Sequence, residues 1–319
     1  MGEARIYNLH GLGISIEADH EGVLKALHAR LGRLAEGEPG KPRVFFTFRQ
    51  GCELPPPKGP SRPVYDPPEG EVLYYPQTDT LWINYTGEAW VRCQAAEGSV
   101  EVRYRAISPE ATWLLSHPLL SLPLIETLRR QGLYNLHAAG LAAGGRALLF
   151  AGSSGAGKST LTLAMVQAGL GLLGDDTVFL RGGEILAFPD EIDVTEETAG
   201  WFGSAFPALR HPRTEGYPKK RLSPEEAGAR RVDSASPGLL IFPQVAHRPT
   251  SELTPLSSQE ALLALTPNLL LTHPEVCRRH LELLAGVVRR MPAYRLNTGY
   301  DLEDLAGRLR RMLEEAPYA

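Results

Sequence analysis

Gly152-Ser153-Ser154-Gly155-Ala156-Gly157-Lys158-Ser159 fits the phosphate-binding pattern G-x-x-x-x-G-K-[ST]. The apolar run from Arg146 to Ala151 precedes it and reads as a buried strand. Thr160 to Gln167 follows as a helix-compatible segment that closes at Gly169, a natural C-cap. Strand, glycine loop and helix N-terminus are the context the motif requires. Glycines let the backbone curl so that successive N–H groups point inward, and the helix dipole adds partial positive charge. The backbone of Gly152 to Thr160 is therefore expected to cradle a nucleoside triphosphate, ATP. Lys158 would reach its β- and γ-phosphates, and the Ser159 hydroxyl would ligate Mg2+. The bland alternative is an ordinary glycine turn.

A second signal lies close behind. Gly171-Leu172-Leu173-Gly174 leads into Asp175-Asp176, and Thr177 to Leu180 follows. An acidic pair at the end of the next strand falls on the carboxyl edge where ligands of open α/β sheets bind. Neither N-K-x-D nor L-S-G-G-Q occurs in the chain. The short interval from Lys158 to Asp175 is typical of kinases that bring a hydroxyl acceptor to the γ-phosphate. Two adjacent carboxylates can divide the labour there, one holding Mg2+ and the other taking the acceptor's proton. They can equally cap a turn and bond a metal-bound water.

His137-Ala138-Ala139-Gly140, the strand to Phe150, the loop to Ser159 and Gly174-Asp175-Asp176 together resemble the catalytic domain of the HPr kinase/phosphorylase family. The resemblance runs from about Leu133 to Leu180. It implies a P-loop domain in which Asp175 is the general base toward a seryl hydroxyl, Asp176 assists at Mg2+, and His137 lies near the transferred phosphate. It also implies a ring-like homo-oligomer. Alone, His137 reads equally as a core histidine. Two departures matter. Thr160 stands where the enzymes that phosphorylate HPr carry glutamate, and their later L-E-I-R-G-L-G stretch has no counterpart here. The resemblance thus points to a divergent serine kinase, acting on a peptide, a protein or free serine.

The remaining composition agrees. The chain has 319 residues, enough for about two domains, and 43% hydrophobic content, enough for real cores. A formal charge of −4 gives no reason to expect nucleic acid or an anionic membrane as partner. Cys52, Cys93 and Cys277 are scattered and lack CxxC spacing, which argues for a reducing compartment. The N-terminus carries no signal-peptide pattern and no apolar run reaches membrane-spanning length, so the cytoplasm is the default. The histidines show no H-x-x-x-H or H-E-x-x-H spacing, which argues against zinc.

The expected class is α/β: an N-terminal α+β module over residues 1–110, a bridging helix within 111–133, and a P-loop kinase domain over 134–319. Residues 4–16 alternate weakly like a strand, and Glu21 to Leu34 carries leucines at helical spacing. Leu54 to Pro63, continuing to Pro67-Pro68, is too proline-rich for regular structure and reads as a long loop or linker. Segments 71–75, 80–85, 89–94 and 99–106 read as short strands. His117 to Gln131 reads as the bridging helix.

Beyond the acidic pair, Arg181-Gly182-Gly183 is a strong hairpin signal. Trp201, Phe202 and Phe206 are aromatic anchors, a type that more often serves the core than a substrate platform. His211 to Thr214 and Pro218-Lys219-Lys220-Arg221 concentrate cations. They form either a solvated loop or a clamp in which Lys219, Lys220 or Arg221 folds over the triphosphate. Gly238 to Phe242 reads as a buried strand and Thr254 to Leu265 as a helix. Glu275–Arg290 and Leu302–Glu315 read as closing helices, with Ala293 to Leu296 an edge strand between them. The function expected is an ATP- and Mg2+-dependent serine kinase. A small-molecule kinase of the shikimate-kinase type, or a nucleotide-dependent regulatory ATPase without an acceptor, fits the same residues.

Overall fold

A computed structural model describes residues 4–34, 41–65, 70–188, 190–202 and 219–315. Pro67, Pro68, Phe206, His211 to Thr214 and Pro218 lie outside the described residues. The architecture is mixed α/β. The chain divides into two compact units, Met1–Leu133 with Leu270–Arg278, and Tyr134–Leu269 with Arg279–Ala319. No helix among the described residues is long and apolar enough to cross a membrane.

The first unit is an eight-stranded sheet. Its strands are β1 (Ala4–Leu9), β2 (Leu12–Ala18), β3 (Pro42–Gln50), β4 (Arg62–Tyr65), β5 (Glu71–Tyr75), β6 (Thr80–Tyr85), β7 (Ala89–Gln94) and β8 (Ser99–Tyr104). They lie in the order β1-β2-β3-β8-β7-β6-β5-β4. The single strand expected over 4–16 is a hairpin, because His10 and Gly11 both take positive φ and turn the chain within two residues. Helices α1 (Glu21–Leu31), α2 (Pro109–Ser116) and α3 (Pro118–Arg130) complete the unit. The bridging helix read over His117 to Gln131 is α3, with His117 and Gln131 as its caps, and the separate short helix α2 precedes it. Leu54 is buried against Tyr75, Trp82 and Trp90, and the Trp82 indole donates to its carbonyl at 3.0 Å. The start of the proline-rich stretch is thus packed on the sheet rather than a free linker.

Leu270–Arg278 clusters with the first unit, although the sequence reading ran the second domain unbroken to its end. Thr272 explains the grouping. Its buried hydroxyl donates to Glu126 at 2.8 Å and accepts from Arg129 at 3.2 Å.

The second unit holds a nine-stranded sheet and a two-stranded ribbon. Strands β9 (Tyr134–Leu136), β10 (Ala138–Ala143), β11 (Arg146–Ala151), β12 (Gly171–Gly174), β13 (Val178–Arg181), β14 (Glu184–Ala187) and β17 (Ser234–Val245) run in the order β12-β10-β11-β17-β14-β13-β9. The ribbon is β15 (Ile192–Thr195) with β16 (Lys219–Leu222). Strand β19 (Ala293–Thr298) pairs with β17 and with β18 (Glu252–Leu256), so it is interior rather than the expected edge. The expected helix from Thr254 starts at Ser258 instead. Its Ser257–Glu260 capping box sets that start and leaves Thr254 in β18. The β13–β14 hairpin turns on Gly182 and Gly183, both at positive φ.

Strand β11 is buried along its whole length, because helices cover both faces of the sheet. Leu148 and Phe150 face α4 (Lys158–Gln167) and α8 (Leu302–Glu315), where Leu161, Met165, Leu305 and Leu309 pack. Ala147 and Leu149 belong to the opposite layer, with α6 (Ser258–Leu265), the Leu284–Val288 part of α7 (Pro274–Arg290), and Met291 just after it. Strands β17 and β19 both run parallel to β11. Their carboxyl ends, Val245 and Thr298, therefore emerge on the same edge as the glycine loop.

Candidate active site

The glycine loop leaves β11 at Ala151 and enters α4 at Lys158. Gly155 and Gly157 sit at φ +82° and +92°, which only glycine adopts without strain, and Gly157 is the N-cap of α4. Lys158, Ser159 and Thr160 open the helix, so their N–H groups have no intrahelical acceptor and form the positive end of its dipole. The loop borders a cleft of about 390 Å3. Ser154, Gly155, Gly157, Lys158, Ser159 and Thr160 line it, whereas Gly152, Ser153 and Ala156 complete the loop without lining it.

Lys158 is 8% exposed, and its amine donates to the carbonyls of Gly152 at 2.8 Å and Ser153 at 3.1 Å. Burial lowers its pKa, against the raising effect of Asp176 and Asp175. His137 Nε2 lies 3.4 Å from the same amine, and Nδ1 lies 3.3 Å from Asp176 Oδ1. One tautomer satisfies both contacts: Nδ1–H toward the carboxylate, with Nε2 accepting from Lys158.

The acidic pair is split. Asp175 is 3% exposed and does not line the cleft. Its Oδ2 accepts from the Ser159 hydroxyl at 2.8 Å and from the Asp193 N–H at 3.3 Å. The Thr162 hydroxyl lies nearby but donates to the Lys158 carbonyl at 3.0 Å, which leaves Asp175 Oδ1 without a hydrogen-bond partner among the described residues. Burial pushes the Asp175 carboxyl up to about 7; the Ser159 hydrogen bond opposes that rise and the Asp176 charge adds to it. Asp176 lines the cleft, with its side chain 60% exposed. Asp175, expected to meet the acceptor, is thus against Ser159, while Asp176 is on the open side with His137. Chain direction explains the split, since successive side chains leaving β12 point to opposite sides.

The cation cluster divides as well. Lys219 lines the cleft. In the ribbon register Lys220 stands opposite Val194, and its side chain lies outside the described residues. Arg221 does not line the cleft. Its guanidinium is bound to Glu191 at 3.0 Å and lies 3.7 Å from Asp193, so two carboxylates already neutralise the charge expected over a triphosphate.

Sequence reasoning missed much of the remaining wall. Thr195 caps the short helix α5 (Glu196–Trp201), and the Thr160 and Thr198 hydroxyls bond at 3.0 Å, tying that helix to α4. Asp193, Glu197, Val245, His247, Thr298 and Tyr300 also line the cleft. Trp201, expected in the core, is 49% exposed and meets Tyr300 edge to face. Phe202 does pack on the small core of Leu163, Ile192, Val194 and Leu222.

The arrangement combines helix N-terminal amides, a buried hydroxyl–carboxylate pair and an exposed carboxylate–imidazole pair around one cleft. The chain matches no protein-family model, and a search of curated proteins returns no match.

Proposed function

We propose that this protein is an ATP- and Mg2+-dependent kinase that transfers the γ-phosphoryl group to a serine hydroxyl, in a P-loop domain of the HPr-kinase type. The acceptor is a serine in a peptide or protein, or free serine. The observation that carries the reading is the 2.8 Å bond from Ser159 to buried Asp175 at the N-terminus of α4, with Asp176 and His137 open to the cleft alongside. It supports a division of labour between the two carboxylates.

The Ser159 hydroxyl and Asp175, whose Oδ1 has no partner among the described residues, suit Mg2+. That ion takes one or two protein oxygens and fills its sphere with water and phosphate oxygens. When bound, Mg2+ neutralises charge on the β- and γ-phosphates. The loop amides and Lys158 hold the triphosphate, and Lys158 offsets charge on the moving phosphoryl group. Asp176 takes the acceptor proton as the serine oxygen bonds to phosphorus and the bond from phosphorus to the ADP oxygen breaks. His137 orients Asp176 through Nδ1. The roles implied by family resemblance are thereby exchanged between Asp175 and Asp176.

Purified protein with Mg2+ and γ-labelled ATP, offered free serine, serine peptides and HPr, tests the reading. Label is expected on a serine hydroxyl. Asp176→Asn should lower kcat by about 100-fold or more with nucleotide binding kept, whereas Asp175→Asn should raise the Mg2+ requirement. Label released only as phosphate, equally from wild type and Asp176→Asn, would overturn it.

A further inference from the structure

The phosphate-loop reading assigns one end of the cleft and leaves the other without a role. That second end is built from the carboxyl ends of β17, which pairs in parallel with β11, and of β19, which pairs in parallel with β17. Val245 joins it to the loop: a Cβ placed on Gly157 would stand 3.5 Å from Val245 Cγ2. His247, two residues on, holds φ at +48°, in the left-handed region that non-glycine residues seldom occupy. From β19, Thr298 is 8% exposed, and its hydroxyl has no hydrogen-bond partner among the described residues. Tyr300 is 60% exposed, with its hydroxyl 3.4 Å from His247 Nδ1.

These positions are braced. Ser251 Oγ accepts from the Gly299 N–H at 2.8 Å, and the Ser251 N–H donates to Asp301 at 2.8 Å. The Tyr300 N–H donates to the Arg248 carbonyl at 3.0 Å. Gly299 is required, because a Cβ there would meet the Thr250 carbonyl carbon at 2.6 Å. Tyr300, held on this scaffold, meets Trp201 at the end of α5 at 81°, and both rings are exposed. An edge-to-face pair leaves ring faces uncovered for a planar partner.

We propose that Trp201 and Tyr300, with His247 and the Thr298 hydroxyl, form the nucleobase subsite of the donor. The phosphoryl donor is then a nucleoside triphosphate recognised by its base, rather than an inorganic polyphosphate. The proposal rests on the phosphate-loop reading above. An aromatic base stacks on the exposed rings, and its ring nitrogens or the ribose meet the Thr298 hydroxyl and His247.

Binding of Mg-ATP and Mg-tripolyphosphate is compared by calorimetry in wild type, Tyr300→Ala, Tyr300→Phe and Lys158→Ala. Wild type should bind ATP about tenfold or more tighter than tripolyphosphate, as base stacking on an aromatic ring provides. Tyr300→Ala should remove most of that preference with tripolyphosphate affinity unchanged, and Tyr300→Phe should retain it. ATP should also quench the fluorescence of Trp201, a change absent in Trp201→Phe. Equal binding of the two ligands by wild type, with Lys158→Ala weakening both, would overturn the base subsite and leave the phosphate site standing. Binding of neither ligand would overturn both.

Discussion

Asp175 is a carboxylate that the fold buries. Its carboxyl is buried and raised to about 7, so the folded chain binds a proton there more tightly than the unfolded chain does. The sign follows from linkage. The stabilising contribution is full below the ordinary carboxylate pKa of 3.8, declines as pH rises, and is lost above about 7. Metal-free Asp175→Asn is therefore expected to be more stable than wild type at pH 8 by up to about 4 kcal/mol, with a flatter pH profile between about 4 and 7. Thermal unfolding against pH checks this; parallel profiles for the two proteins would count against a buried, strained carboxylate. Mg2+ should raise the melting temperature of wild type and leave that of Asp175→Asn nearly unchanged.

The β11–loop–α4 element works because two glycines hold backbone that other residues resist. Gly157 caps α4 at φ +92° with only ordinary contact beyond its Cα, so alanine there meets backbone strain rather than a clash. Gly157→Ala is expected to cost about 1–2 kcal/mol of stability and to weaken ATP binding more than it weakens the fold. Calorimetry and thermal melts on one preparation separate the two effects. Unchanged ATP affinity would mean that the loop conformation does not set the site. This element was fully legible, since glycine spacing, a buried apolar run and a helix-forming segment are all local properties. The β17 and β19 ends were not legible. Nothing local to His247, Thr298 or Tyr300 marks them, and they reach the cleft only because β17 pairs in parallel with β11, and β19 with β17, which brings their carboxyl ends to its edge.

In the first unit, Glu126, Arg129 and Thr272 are each 1% exposed. Glu126 binds Arg129 at 2.7 Å and Arg130 at 2.9 Å, and Arg130 also binds Asp79 at 2.6 Å. Removing one partner of such a network leaves charge buried without compensation. Glu126→Ala is expected to destabilise the chain by about 3–5 kcal/mol, and Glu126→Leu combined with Arg129→Met should recover most of that loss. Urea unfolding of the full chain distinguishes the two variants. A loss below about 1 kcal/mol for Glu126→Ala would show that the network is solvated. The same network draws Leu270–Arg278 back to the first unit, so the two compact units are not two consecutive lengths of chain.

By itself the sequence determined the α/β class, the buried strand before the glycine loop, the helix after it, and the adjacency of Asp175-Asp176 to that loop. All of these follow from periodicity, glycine freedom and short-range spacing. Tertiary structure alone decided that Asp175 turns inward to Ser159 while Asp176 faces the cleft with His137, that Arg221 is consumed by Glu191 and Asp193, and that Trp201 is exposed beside Tyr300. Each depends on which side chains distant strands bring together. Burial and electrostatic partnering are properties of that assembled neighbourhood, and no single segment of the chain encodes them.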